Sequence, residues 1–247
     1  MQSVLAFRRH FHALLWSAAL WMITAAATPV HAAQVWLFDF GSSQATTGQA
    51  ETWNNISLAI GTSDSGQLLD LSDTTGTITE MDFLMISRFG GENQNGTTTS
   101  TLFPATATRD SLYGNTEVFQ MLANIFPRFK LSNLNPQLSY DLGFYASRLI
   151  TPADNRETLY TVTGISTQSI ALNVTNNVDN SANLFGIVPN EFGEIEIALT
   201  PGPNNNNLNH FTYLGILRVT TIPEPAAALF LIGGSAGLIV RRQRRAA

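Results

Sequence analysis

The chain has 247 residues, of which 44% are hydrophobic and 13% charged, with a net charge of −5 and no cysteine. This length allows one large domain or two small ones, and the lack of cysteine excludes a disulfide framework, a thiolate metal site and a cysteine nucleophile. Six of the 13 basic residues and one of the 18 acidic residues lie near the two ends of the chain. The part between the ends therefore has seven basic and 17 acidic residues, a net charge of about −10. This acidic charge disfavours nucleic-acid binding.

Residues 1–32 have the three-part pattern of a secretory signal. Arg8 and Arg9 form a short basic leader, residues 13–27 are an apolar run, and Val30-His31-Ala32 places small or modest residues where signal peptidase cleaves. We expect cleavage after Ala32 and export of the protein. The alternative is a permanent N-terminal helix anchor.

Residues 33–221 form the predicted body, in which apolar and polar residues alternate with period two. Segments 138–146, 170–174 and 195–199 alternate clearly, and segment 209–220 is apolar on both faces for most of its length, as in a central strand. Further candidate strands are Val35–Phe40, Trp53–Ile60, Thr77–Ile86, Phe129–Leu131 and Thr158–Thr163. Short strands separated by long loops predict an all-β protein, an antiparallel β-sandwich or jelly roll.

Two other segments interrupt this pattern. Thr116–Phe126 has its charge at the start and apolar residues at mixed spacing, which predicts a short helix. The asparagine run 204–207 follows Pro201, Gly202 and Pro203, and this composition predicts a turn cluster.

Few residues of the body are suited to catalysis. His210 is its one histidine, so a Ser-His-Asp triad would need a serine and an acid brought to it by the fold, and a zinc site lacks further nitrogen or sulfur ligands. Glu194 and Glu196 would face the same side of one strand, an arrangement more typical of a solvated face than of a glycosidase pair. We therefore expect no catalytic residues and no cofactor.

Calcium is the one metal that the composition leaves open. Asp64, Asp70 and Asp73 lie in a loop rich in Gly and Ser, and carboxylate-rich loops supply the oxygen ligands that Ca²⁺ prefers. Their spacing fits no EF-hand loop, and ordinary Asx turns explain the segment more simply.

Six residues are candidates for ligand binding because planar guanidinium groups and aromatic faces are the groups that sugar sites use. They are Trp53, Arg109, Asp110, Tyr113, Arg148 and Arg156. The alternative is structural: Arg148 or Arg156 pairs with Asp110 in a buried Arg–carboxylate network, and Trp53 belongs to the core.

The C-terminal segment, residues 222–247, begins with Pro223-Glu224-Pro225, which cannot continue a strand or helix because proline lacks a backbone N–H. Residues 226–240 are uncharged and as a helix would extend about 22 Å, short of the ~30 Å hydrocarbon core. Arg241 and Arg242 open a basic cluster that would stay cytoplasmic.

This order of Pro-Glu-Pro, apolar segment and terminal arginines resembles the PEP-CTERM sorting signal of Gram-negative bacteria that make exopolysaccharide. The resemblance implies transient inner-membrane insertion and processing by an exosortase-type membrane peptidase near Pro223-Glu224-Pro225. Arg241 and Arg242 would be the retention signal. The processed protein would then reach the cell surface or extracellular matrix.

The body also resembles an export-associated bacterial domain of the galactose-binding-like jelly-roll type. The matching stretches are LFDFG at 37–41, residues 109–114, 144–148 and 155–164, and residues 202–217. The resemblance implies a carbohydrate-binding or adhesive module with no catalytic motif, and we expect a non-enzymatic body that contacts exopolysaccharide. A purely structural surface protein is the alternative, and a glycoside hydrolase or esterase comes third, since the Gly-Asp-Ser hydrolase signature is absent.

Overall fold

A computed structural model describes residues 33–41 and 45–222, which fold into 14 strands and two four-residue helices. The predicted leader and the sorting tail from Pro223 onward lie outside the described residues. The strands are β1 (Val35–Phe40), β2 (Asn54–Ile56), β3 (Gln67–Leu68), β4 (Asp82–Ser87), β5 (Gly91–Asn93), β6 (Ser111–Gly114), β7 (Arg128–Ser132), β8 (Ser139–Tyr145), β9 (Glu157–Thr163), β10 (Thr167–Asn173), β11 (Ala182–Ile187), β12 (Ile195–Pro201), β13 (Thr212–Leu214) and β14 (Ile216–Ile222). The helices are α1 (Leu58–Gly61) and α2 (Ala105–Thr108).

Two large sheets form a sandwich, as the alternating pattern predicts. The five-stranded sheet has the order β11-β8-β14-β1-β2, and the six-stranded sheet has the order β10-β9-β12-β7-β4-β3. Neighbouring strands run antiparallel except for β1 and β2, which are parallel. From β7 the chain passes back and forth between the two sheets, so the all-β, jelly-roll type of architecture is confirmed.

The core lies between these two sheets and is rich in aromatic rings. Phe83 of β4 lies 4.9 Å from Phe129 of β7, measured between ring centroids. Phe144 of β8 stacks on Tyr160 of β9 at 4.5 Å, with the ring planes only 10° apart. Because β8 and β9 belong to different sheets, this stack joins the two layers directly.

A second, smaller hydrophobic cluster covers part of the outer face of the five-stranded sheet. The segment around α2 packs Ala107 and Phe103 against Leu37 of β1 and Tyr145 of β8, and Trp53 joins this cluster. The Phe103 ring meets the Trp53 and Tyr145 rings edge-on, at 6.3 and 5.5 Å. The structural alternative for Trp53 is therefore the one observed.

The predicted helix at 116–126 is wrong, because the chain forms a tight turn there. Gln120 and Met121 have φ of 48° and 66°, left-handed values that a helix does not allow, and Phe119 pairs with Leu122 across the turn. The mixed apolar spacing arises because Phe119 points inward at the turn while Met121 is exposed.

Strand boundaries also differ from the predictions where short loops intervene. The segment 53–60 is a strand only over β2, after which Ser57 caps α1 by accepting a hydrogen bond from the Ile60 N–H. The strand expected at 77–86 begins at Asp82. Within the described residues, no helix is long and apolar enough to cross a membrane.

Candidate functional site

A third sheet carries a cleft in the described part of the chain. Its strands have the order β13-β6-β5, and the register aligns Tyr213, Tyr113 and Gly91 in one row across it. The cleft above this row has a volume of about 740 Å³ and is also lined by Arg148 and Arg156. This size is ordinary for a small-molecule site, which occupies about 300–1,000 Å³.

Aromatic rings form one wall of the cleft. Phe211 meets Tyr113 edge-on at 5.3 Å and Phe119 at 4.9 Å. The Tyr113 ring lies over the backbone of β5, since a Cβ added to Gly91 would stand 2.6 Å from the Tyr113 hydroxyl oxygen. Glycine at this position therefore determines where the tyrosine ring lies.

An ion pair between the buried Arg156 and the partly exposed Asp154 supports this wall from behind. Arg156 is only 6% exposed, and it donates from Nε to Asp154 Oδ1 at 2.7 Å and from Nη1 to the Tyr213 hydroxyl at 2.7 Å. Its guanidinium carbon also lies 5.5 Å from the centroid of the Phe211 ring. Asp154 accepts a further hydrogen bond from Asn207 Nδ2 at 2.6 Å. The network thus fixes both aromatic residues of the 211–213 segment.

The charges of this network stabilise each other. Burial alone would raise the pKa of Asp154, but the hydrogen bonds from Arg156 and Asn207 outweigh it, so the pKa lies below its usual value. Burial would likewise lower the pKa of Arg156, and its contacts with Asp154 and Tyr213 raise it instead. Both residues are therefore charged at neutral pH.

Arg148 has a different environment on the other side of the cleft. Its Nη1 donates to Asn93 Oδ1 at 3.0 Å, and Asn93 is held by hydrogen bonds to the Ser111 hydroxyl and the Ser147 carbonyl. Among the described residues Arg148 forms no salt bridge. Its guanidinium therefore keeps hydrogen-bond donors that are not committed to a carboxylate.

The structure brings three of the six predicted ligand-binding residues together. Tyr113, Arg148 and Arg156 line the cleft, whereas Trp53 belongs to the outer cluster and the exposed Arg109 ends α2. Asp110, the remaining candidate, is buried beside Gly41. The predicted Arg–carboxylate network exists, but the carboxylate bound to Arg156 is Asp154.

Several cleft residues escaped the prediction from sequence. Phe211 and Tyr213 lie two residues apart, on one face of a strand-like segment, and this spacing is the signal that could have identified them. Phe119 was hidden in the segment taken as a helix. Asn93 lies in a Gly/Asn-rich stretch that reads as a loop but forms β5.

A buried carboxyl, that of Asp39, lies apart from the Arg156 network. Asp39 of β1 is fully buried, and its Oδ2 accepts a hydrogen bond from the Thr46 N–H at 2.9 Å. Burial raises the pKa of Asp39 to about 7; the Thr46 hydrogen bonds oppose this rise, and the negative charges of Asp110 and Glu92 add to it. Asp39 therefore holds a proton under conditions in which an ordinary carboxyl has lost it.

The acidic residues considered for calcium have other partners. Asp73 Oδ1 accepts hydrogen bonds from the Thr75 and Thr77 N–H groups, which makes it the centre of an Asx turn. Asp64 accepts from the Arg88 N–H, and Asp70 has a positive φ of 54°. The described residues contain no group of three or more His, Cys, Asp or Glu side chains placed to hold a metal ion.

The groups considered for catalysis are likewise engaged in the fold. Glu194 pairs with Lys130 at 2.5 Å and Glu196 with Arg128 at 2.8 Å, both across the β12–β7 ladder. These carboxylates form a partly exposed charged face, as expected. His210 Nδ1 lies 3.2 Å from the hydroxyl of a threonine, Thr116.

The fold and the cleft define an antiparallel β-sandwich protein with a concave aromatic site. No family model matches the chain, and no curated protein shows a significant match. Among solved structures, the chain is similar to TmCBM61, determined in complex with beta-1,4-galactotriose, at 12% identity over 61% of this chain and 92% of that one, with a TM-score of 0.29.

Two further structures show the same degree of similarity. The ANXUR1 extracellular domain from Arabidopsis thaliana has 9% identity over 56% of this chain and 40% of that one, with a TM-score of 0.36. A calcium-binding mutant of Bacteroides uniformis beta-glucuronidase 2 has 9% identity over 69% of this chain and 20% of that one, with a TM-score of 0.37. These similarities are too distant to assign a family or a function.

Proposed function

We propose that this protein is an exported, non-enzymatic module that binds carbohydrate in the cleft above the β13-β6-β5 sheet. The observation that carries the proposal is the combination of an aromatic wall with fixed polar groups in one concave site of about 740 Å³. A sugar ring offers an apolar C–H face for an aromatic side chain and hydroxyl groups for planar hydrogen-bonding groups. The cleft supplies polar partners at Arg148, and Phe119 is the ring of its aromatic wall that is partly exposed. The other rings of the wall, Tyr113, Phe211 and Tyr213, are only 8%, 7% and 2% exposed and support it from within.

The two arginines have distinct parts in this proposal. Arg148 carries the donors that remain available to a ligand, while Arg156 is occupied by Asp154 and Tyr213 and acts by holding the aromatic wall. A wall that is fixed before binding loses little side-chain entropy when the ligand arrives. We therefore expect the ligand to contact Arg148 directly and Arg156 mainly through Tyr213 and Phe211.

Binding rather than hydrolysis is favoured by the acids of the site. Among the described residues that line the cleft, Glu92 is the one carboxylate. Glycoside hydrolysis by the usual mechanisms needs two carboxyl groups about 5–9.5 Å apart. A site with a single acid is better suited to recognise a saccharide than to cleave it.

Export and sorting complete the proposal and rest on the sequence of the two ends. Signal peptidase would remove residues 1–32, and an exosortase-type peptidase would act at Pro223-Glu224-Pro225 while the tail is held in the inner membrane. The body would then meet exopolysaccharide at the cell surface or in the matrix. A structural surface protein is the alternative, and it differs by having no saturable affinity for any glycan.

The test is a glycan-array screen of the full-length chain, followed by calorimetric titration of the bound glycans. Arg148→Gln should weaken binding about tenfold or more, since a hydrogen bond to a charged group is worth about 1.5–3 kcal/mol. Arg109→Gln is the matched control, because Arg109 is exposed and lies outside the cleft. No saturable binding to any glycan, exopolysaccharide of the producing cells included, would reject the proposal.

A further inference from the structure

A second concave surface lies on the outer face of the five-stranded sheet. This groove has a volume of about 240 Å³ and is lined by residues of β8, β11 and β14, among them Phe185 and Arg218. None of its lining residues belongs to the cleft above the three-stranded sheet. The groove is smaller than the usual ligand pocket of about 300–1,000 Å³, so it fits one sugar residue rather than a chain.

A glycine creates the depression. The register places Asn183, Gly143 and Arg218 side by side on three neighbouring strands, and Leu37 of β1 follows in the same row. A Cβ added to Gly143 would stand 2.8 Å from the Asn183 side-chain oxygen and 3.8 Å from Arg218 Cβ. A side chain at position 143 would therefore fill the space between the two polar walls.

An irregularity of β11 brings an aromatic ring to the same place. The β11–β8 register shifts between Leu184 and Ile187, and Gly186 adopts a φ of +67° at this point. Asp141 of β8 fixes the shift, since its Oδ1 accepts a hydrogen bond from the Gly186 N–H at 2.9 Å. Phe185 is left 66% exposed at the edge of the groove. Bulges of this kind re-aim side chains next to functional sites.

The polar groups of the groove are free to bind. Within the described residues the Arg218 guanidinium makes no ion pair, and no side-chain hydrogen bond of Arg218 is seen. Asp141 has one oxygen bound to Gly186, and its second oxygen remains an acceptor. The groove thus offers a planar donor, a charged acceptor and an aromatic face within three adjacent strands.

The outer cluster covers the part of this face next to the groove. In the row of Gly143, Leu37 lies beneath the outer cluster of Phe103 and Ala107, and the cover ends there. A lone exposed aromatic residue would need no explanation. In this groove, three features lie together beside the edge of the outer cluster: the exposed ring of Phe185, the unpaired guanidinium of Arg218 and the gap at Gly143.

We propose that this groove is a second saccharide subsite, in which Phe185 stacks on one pyranose ring while Arg218 and Asp141 bind its hydroxyl groups. The class of ligand rests on the proposed function; the site itself is new. Two sites on different sheets of one module would bind two points of a polysaccharide. Their combination raises the affinity for a polymer above that for a short oligosaccharide.

The test is a titration of the ¹⁵N-labelled full-length chain with galactotriose, cellotriose and a galacturonic acid trimer, followed by amide chemical shifts. Signals of Gly143, Asn183 and Gly186 should shift saturably with one of these probes. In Arg148→Gln, where the cleft is weakened, the groove shifts should persist. Phe185→Ala should weaken binding in the groove about tenfold, the loss expected for one aromatic stacking contact.

The outcomes separate this inference from the proposed function. Shifts at Gly91 and Tyr113 with none in the groove would overturn the second subsite and leave the cleft as the binding site. Shifts in the groove alone would support the subsite and reject the cleft. No shifts at either place with any trimer would reject both. Phe185 is exposed, so Phe185→Ala should fold, and an unchanged thermal midpoint confirms this.

Discussion

Replacement of Asp39 by asparagine should abolish a specific part of the pH dependence of stability. Asp39 is fully buried on β1, and its pKa in the folded protein is about 7 against 3.8 for an ordinary aspartate. An asparagine keeps the shape and the oxygen that accepts the Thr46 N–H, but it carries no titrating group. The substitution therefore isolates the charge from the packing.

The sign and size of the effect follow from linkage. Between about pH 4 and pH 7 the unfolded chain loses the Asp39 proton while the folded chain retains it, so folding becomes less favourable as the pH rises. A pKa difference of about three units corresponds to about 4 kcal/mol in total. The wild type should lose up to this amount across the window relative to Asp39→Asn, and the pH-dependent part of their difference should vanish below about pH 3.

The assay is urea unfolding of both proteins at several pH values, followed by tryptophan fluorescence, for which the buried Trp36 and Trp53 are suitable reporters. The other titrating groups are common to both chains and cancel in the difference of unfolding free energies, except for Asp110 and Glu92, whose charges act on Asp39. Stabilisation by Asp39→Asn that grows from pH 4 to pH 7.5 is the expected result. A difference that is independent of pH, or that changes in the opposite sense, would refute the reasoning.

Three further predictions concern the same fold. Asp73→Asn should have the opposite pH profile. Burial would raise the pKa of Asp73, but hydrogen bonds from its own turn outweigh burial and lower it, so the stability that the carboxylate contributes is lost as the pH falls through the acid range. Calorimetry should show the variant less stable than the wild type at pH 7 but not at pH 2. Asp154→Asn leaves the buried Arg156 without its carboxylate, which should cost about 3 kcal/mol in urea unfolding; a loss below about 0.5 kcal/mol would contradict the network. Gly91→Ala should displace the Tyr113 ring and weaken glycan binding in calorimetric titration about tenfold or more. Because this ring is buried and packs on Phe211, the thermal midpoint should also fall, and unchanged affinity in the folded variant would show that the ring does not position the ligand.

The sandwich could be predicted from sequence because its signal is local. In β8, β9 and β12 each inward residue is two positions from the next, so the burial of Ile195, Ile197 and Leu199 is visible in the alternation itself. The turn at 116–126 was missed for the opposite reason. Its left-handed residues, Gln120 and Met121, have no special preference for that conformation. Long-range packing of Phe119 and a hydrogen bond from Asn209 to the Val118 carbonyl help to select it.

The cleft could be predicted only in part, because it is assembled from distant segments. Arg148 and Tyr113 were predicted as ligand-binding candidates from their side-chain chemistry. The sequence around them, however, does not indicate that β5, β6 and β13 form a separate sheet. The pairing of Tyr113 with Tyr213 joins positions 100 residues apart. The partner of Arg156 was also missed: the sequence analysis named Asp110, whereas the ion pair is formed with Asp154, only two residues before Arg156.

Side chains of the asparagine run, residues 204–207, form hydrogen bonds that hold the cleft wall, although this loop has no regular secondary structure. Asn205 Nδ2 donates to the carbonyls of Glu157 and Phe211, and Asn207 Nδ2 donates to the Asp154 carboxylate. Asn206 Oδ1 accepts the Asn155 N–H. The amides of Asn205 and Asn206 thus bond backbone groups that a neighbouring strand would otherwise pair, while that of Asn207 bonds a side chain. The Asn-rich composition is therefore not only a polar surface: it fixes the segment that carries Phe211 and Tyr213, and in the proposed binding site it would keep the wall in place before a ligand arrives.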